Sequence, residues 1–145
     1  MWEATSKAGL RETECPPWSG QRMWTPVNMS DDDKMRLQHW MTLLIGVPYS
    51  VTRALCTIGN KTYGTAAWAR LEKYAARATQ GATGAGIMKN VICSEAVVVA
   101  HQLAFRDQQG SSEGYFIALD ASHTMPRDLE AYLRSDNRWT EGVIP

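Results

Sequence analysis

The sequence lacks most of the features that place a protein quickly. No apolar run approaches the roughly 20 residues of a membrane-spanning helix, so no membrane span is expected. The opening residues, MWEATSKAGLRE, lack the basic-then-apolar layout of a signal peptide. Cysteine is scarce: Cys15, Cys56 and Cys93 are far apart and odd in number, which suits neither a disulfide framework nor a paired-cysteine zinc site. Free thiols in a reducing, cytoplasmic setting are the corresponding expectation, with no metal or other cofactor. Charge of one sign is missing too. Lys and Arg number 15 and Asp and Glu 15, a formal net charge of +0. No Lys/Arg stripe is read along any predicted helix, so no nucleic-acid partner is expected. A nucleotide loop is also absent. In QGATGAG, Gly81 and Gly86 have phosphate-loop spacing, but Ile87 and Met88 stand where Lys and Ser/Thr would have to be.

What is present is enough to fold. Hydrophobic residues make up 44% and charged residues 21% of 145, a composition that buries a core rather than staying disordered. One domain over residues 1–145 is expected, burying roughly two thirds of the surface its unfolded chain exposes.

Several elements follow from pattern. Trp2 to Ala4 reads as a strand end, and the Pro- and Gly-punctuated stretch after it makes 5–29 an irregular segment. NMSDDDKMRLQHWMTLLIG reads as a helix: Ser30 caps it, Asp31 to Asp33 suit the positive end of the dipole, and Gly46 supplies a left-handed stop. Leu37, Trp40, Met41 and Leu44 share one face, which puts His39 on the wet side. VTRALCTIG is a short apolar piece with helical character, on which Cys56 reads as a buried, inert thiol. GTAAWARLEKYAARAT, with Trp68, Leu71 and Ala75 at helical spacing, is a second packed helix. Residues 81–89 and 106–114 read as flexible loops, YFIALD as a strand, and SHTMPRDLEAYLRS as a helix capped by Thr124 with Pro126 in its first turn. DNRWTEGVIP reads as tail. Helices, a cysteine-led helix, then strand and helix give an α+β class.

NVICSEAVVVAHQLAF, residues 90–105, holds the candidate for chemistry. Cys93 opens a helix, where the positive end of the dipole and unpaired N–H groups favour a thiolate. The competing reading is a small packing residue on an apolar stripe with Ala96, Val97, Ala100 and Ala104. A nucleophilic cysteine also needs a base within hydrogen-bond reach. His101 is about 12 Å further along the same helix and about 80° round, so it cannot touch Cys93. His39 is assigned to solvent. His123 lies in a loop just before a helix and stays open.

Three stretches together resemble a known family: LLIGVPYS (43–50), VICSEAVVVA (91–100) and IALDASHTMPRDLEAYLRSDNRW (117–139), with MWEA at the start matching a V-x-E-A strand. The resemblance is to the circularly permuted branch of the NlpC-type, papain-like cysteine hydrolases. It implies a papain-like fold, with a small antiparallel sheet packed against helices and the cysteine at a helix N-terminus. It implies Cys93 as nucleophile, Tyr49 of the G-x-P-Y turn and Ser94 at the substrate and oxyanion site, and Glu3 as the polar residue that orients the base. An exposed strand-end carboxylate is the other reading of Glu3. The family's histidine lies in a strand before the glutamate, ahead of Met1. The base is then expected from a missing first strand, from another chain, or not at all in a binding-only member; His123 substitutes only if its loop folds back over Cys93. The implied substrate is a peptide, a peptidoglycan fragment or an acyl compound, in a bacterial or phage setting. The alternative is an inactive binding or structural protein on the same scaffold. A first strand's absence would also expose a sheet edge, so a homodimer through that edge is a further expectation.

Overall fold

Ser30 starts the first long helix as its neighbours demand: the Asp33 N–H donates to Ser30 Oγ at 3.1 Å, with three acidic residues in the turn that follows. This is α1 (Asp31–Leu43), and Gly46 beyond it sits at φ 85°, the expected left-handed stop. The chain is seen here in a computed structural model, which describes residues 2–5, 9–12, 22–56 and 62–143; at 2–5, 12, 22 and 56 the backbone only is described. Its strands are β1 (Trp2–Thr5), β2 (Gly9–Glu12), β3 (Arg22–Pro26) and β4 (Trp139–Val143). The remaining helices are α2 (Val51–Cys56), α3 (Thr65–Thr79), α4 (Cys93–Ala104) and α5 (Pro126–Ser135). Strands and helices are segregated along the chain, so the class is α+β.

β1 and β2 pair antiparallel, with Glu3 opposite Arg11, and β3 pairs antiparallel with β4, from Arg22 opposite Val143 to Pro26 opposite Trp139. Two of the expectations fall here. Residues 5–29 are not irregular where they are described, since they contain β2 and β3. The tail is not a tail, since β4 returns from the far end of the chain to pair with β3. Neither strand carries the alternation that would announce it; each is defined by its partner. Cys15 lies outside the described residues, as does the Cys56 side chain.

The loop at 81–89 is also firmer than its glycines suggest. Gly84 has φ 49°, and a Cβ there would lie 2.5 Å from the Ile45 carbonyl oxygen, so only glycine fits against the end of α1. Behind it Ile87 and Met88 are fully buried. Residues 106–114 begin with a 3-10 turn at Arg106–Gln108 before their exposed stretch.

At the centre is α4, ten of whose 12 residues are buried. Its apolar side chains join Leu44, Leu71, Phe105, Ile117 and Leu129 in one core. α1, α3, α5 and β1 all pack against it. The expected strand at YFIALD is not one. Residues 115–120 run extended beside α4, with a single isolated bridge between Leu119 and Thr62. Side chains replace a ladder partner: Gln102 Nε2 donates to the carbonyls of Ile117 at 2.8 Å and Leu119 at 2.7 Å, and the Tyr132 hydroxyl accepts from the Ala118 N–H at 3.2 Å. Those buried carbonyls would otherwise be orphaned.

α5 begins at Pro126, as expected, but Thr124 is not its cap. Met125 holds that position, and Asp128 reaches back to the Met125 N–H at 3.0 Å. Thr124 is fully buried, and its hydroxyl donates to the Asp120 carbonyl at 2.8 Å, which closes the turn before the helix.

Replacing Gln102 by Leu keeps the apolar bulk and removes both bonds to the 115–120 segment. Unfolding in urea is expected to show a loss of about 2 to 4 kcal/mol. A loss below about 1 kcal/mol would mean that these carbonyls do not depend on Gln102.

Candidate functional site

Cys93 is the first residue of α4, and with Val97 it is one of the two residues of that helix that are not buried. They stand at i and i+4, one above the other on the same face. A cysteine chosen only for packing would be expected inside the core, so the exposure of Cys93 counts against that reading.

Three things hold the start of the helix. Ile92, extended at φ −108° and ψ 162°, precedes Cys93 and has no side-chain acceptor with which to cap. Glu95 supplies the other half of a capping box, accepting from the Ile92 N–H at 3.3 Å. Its carboxylate is almost wholly buried and is met by the Arg53 fork at 2.8 and 3.0 Å. Burial pushes the Glu95 carboxyl above its ordinary range, and the contacts with Arg53 and the Ile92 N–H only partly reverse this. The second hold is Ser94. Its buried hydroxyl donates to the Thr124 carbonyl at 2.6 Å, so it is spent on structure and only the Ser94 backbone remains for an oxyanion. The third is the G-x-P-Y turn: Val91 N–H donates to the Pro48 carbonyl and Ser50 N–H to the Val91 carbonyl, each at 2.9 Å. The Tyr49 backbone therefore bridges Val91, two residues before Cys93.

Glu3 lies on β1, a strand packed beside α4, but its side chain is outside the described residues. The histidines divide clearly. His39 is exposed on α1, as expected. His101 is buried among Phe105, Tyr115 and Trp139, and its Nδ1–H donates to the Tyr115 carbonyl at 3.3 Å. His123 stands in a 3-10 turn, Ala121–His123, that packs against α4. This turn is tied to the start of the helix through the bond between Ser94 and Thr124.

His123 is also oriented. Its Nδ1 lies 3.1 Å from Asp120 Oδ2 and 3.0 Å from Ser122 Oγ, while Ser122 donates its own proton to Asp120 Oδ1 at 2.8 Å. The Nδ1–H is then the donor to both oxygens. Asp120 itself is held by Arg70 at 2.5 Å. Burial raises the Asp120 carboxyl, but the hydrogen bonds from Ser122 and Arg70 and the charges of Arg70 and His123 outweigh it and keep it below the ordinary value. Asp120 gave no signal in the sequence, because its partners lie 2, 3 and 50 residues away in unlike elements.

Next to Val97 an apolar groove of about 310 Å³ runs between α4 and α1, walled by Met29, Leu37, Met41 and His101. On another side of the α4 start, Glu95 and Asn90 face a polar cleft shared with α3. Among the described residues no helix is long and apolar enough to cross a membrane. No protein-family model matches the chain, and no curated protein and no solved structure matches it.

His101 generates a pH dependence. Burial pulls it from 6.5 down to about 4, so the unfolded chain takes up this proton at a higher pH than the folded one. Stability is therefore complete above pH 6.5 and falls by about 3 kcal/mol as the pH drops towards 4. Urea unfolding at pH 7 and 4.5 should show a steeper loss in the parent than in His101→Gln; equal slopes would contradict the assignment.

Proposed function

We propose that the chain is a papain-like cysteine hydrolase of the circularly permuted NlpC type, acting through Cys93 on an amide or acyl bond of a peptide or peptidoglycan stem. The single observation that carries this reading is the exposure of Cys93 at the head of a helix that is otherwise almost wholly buried. The backbone bridge between Tyr49 and Val91 and the bond that ties the 120–124 turn to Ser94 support it.

In this mechanism Cys93 Sγ adds to the substrate carbonyl carbon, and the electron pair of the C=O bond moves to oxygen. Backbone N–H groups of the first turn of α4, which no preceding helical turn engages, hold that oxyanion. The base takes the Cys93 thiol proton as sulfur attacks. The tetrahedral intermediate re-forms its C=O and expels the amine or alkoxide, which receives that proton. The base then takes a proton from the water that attacks the thioester and returns it to the departing Cys93 sulfur. His123 is the base and Asp120 its orienting partner, the part that Glu3 plays towards a histidine supplied from the family's first strand. Tyr49 positions the substrate.

Alkylation by iodoacetamide, followed by peptide mass spectrometry, tests this directly. At pH 7 Cys93 should react before Cys15 and Cys56, and His123→Ala should slow Cys93 by about tenfold without altering the other two. Asp120→Asn should slow it in the same direction. Should Cys93 react no faster than the other thiols, or at an unchanged rate without His123, the hydrolase reading gives way to a binding or structural protein on this scaffold.

A further inference from the structure

α3 carries a basic stripe that its alanine-rich sequence hides. Arg70, Lys73 and Arg77 stand at i, i+3 and i+7, within an arc of about 60°, which corrects the expectation that no helix bears one. The stripe is part of a concave surface, with Arg70 and Arg77 half-buried and Lys73 exposed. It forms one wall of a cleft of about 360 Å³, and Arg53 from α2 and Lys89 from the loop before α4 close the cleft from other sides.

The cations are balanced unevenly. Glu95 answers Arg53 and Asp120 answers Arg70. Glu95, the carboxylate in the cleft lining, is already paired with Arg53, and Lys73, Arg77 and Lys89 form no ion pair among the described residues. In a chain of formal net charge +0, three uncompensated cations in one concavity are a local excess that the sequence as a whole does not need. A local excess of positive charge in a concavity draws anions into it.

The arginines are also fixed in advance. Arg53 is held by Glu95 and by Asn90 Oδ1 at 2.8 Å, Arg70 by Asp120, and Arg77 by the Ile87 carbonyl at 2.8 Å. Held guanidinium groups supply directed N–H donors with little ordering cost, and the two exposed lysines add mobile point charges. That division of labour suits a compact, multiply charged oxyanion better than a single carboxylate.

We propose that this cleft binds a small soluble ligand through a phosphate or pyrophosphate group, held by Lys73, Arg77 and Lys89 with Arg53 and Arg70 behind them. The cleft adjoins the chemistry assigned to Cys93 and shares Arg70 with it, since Arg70 also holds Asp120, but Lys73 and Lys89 take no part in that chemistry and anion binding does not depend on the thiol.

Titration calorimetry and thermal melting with inorganic pyrophosphate, phosphate and chloride at matched ionic strength test it. Pyrophosphate should bind saturably and raise the melting temperature most, phosphate less, and chloride least. The double variant K73Q/K89Q, changed at two exposed positions, should melt like the parent without ligand and bind pyrophosphate about tenfold more weakly. Cys93→Ser should bind it as the parent does, which keeps this outcome distinct from any failure of the hydrolase reading. Equal effects of the three anions, or an unchanged affinity in K73Q/K89Q, would overturn the proposal. So would a single-stranded oligonucleotide that displaces pyrophosphate at a lower concentration, since the cleft would then serve a polymer.

Discussion

Burying α4 on nearly every side commits the rest of the molecule, because the helix is not purely apolar. Ser94, Glu95, His101 and Gln102 go into the interior with it, and each needs a partner in a low-dielectric setting where an unmet polar group costs more than a lost contact. Each finds one in a different segment: Thr124, Arg53, Tyr115, and the carbonyls of Ile117 and Leu119. Four polar side chains of one helix thus fix the turn before α5, the helix α2 and the extended run from 115 to 120. The apolar contacts supply the burial, and these bonds select the arrangement.

The same geometry divides the start of α4 into three directions. Successive side chains leave a helix about 100° apart, so Cys93, Ser94 and Glu95 point in three different directions. Cys93 goes to solvent above Val97 and the apolar groove, Ser94 to the turn that carries His123, and Glu95 into the wall of the basic cleft. A thiol, an oriented imidazole and a group of cations therefore meet around one helical turn without any one of them being adjacent in sequence to the partner that matters to it.

Much of the helical content was legible because it rests on local signals. The Ser30 cap, the acidic first turn of α1, the stripe of Leu71 and Ala75 and the Pro126 start act within a few residues of themselves. The failures share a cause. β3 and β4 find each other from opposite ends of the chain, the YFIALD run takes its hydrogen bonds from Gln102 and Tyr132 rather than from a strand, and Thr124 is used to close a turn instead of to cap a helix. On α3 the apolar stripe was visible and the basic one was not, since a row of cations has meaning only when something faces it.

For the site, the sequence by itself determined that Cys93 would open a helix and that the G-x-P-Y turn and the segment before α5 would be distinct features, because caps, prolines and hydrophobic spacing are local. The tertiary structure decided which thiol face meets solvent, that His123 is oriented by Asp120, and that five cations converge on one cleft. Those are relations between elements far apart in the chain, fixed by the polar partners that a buried helix requires.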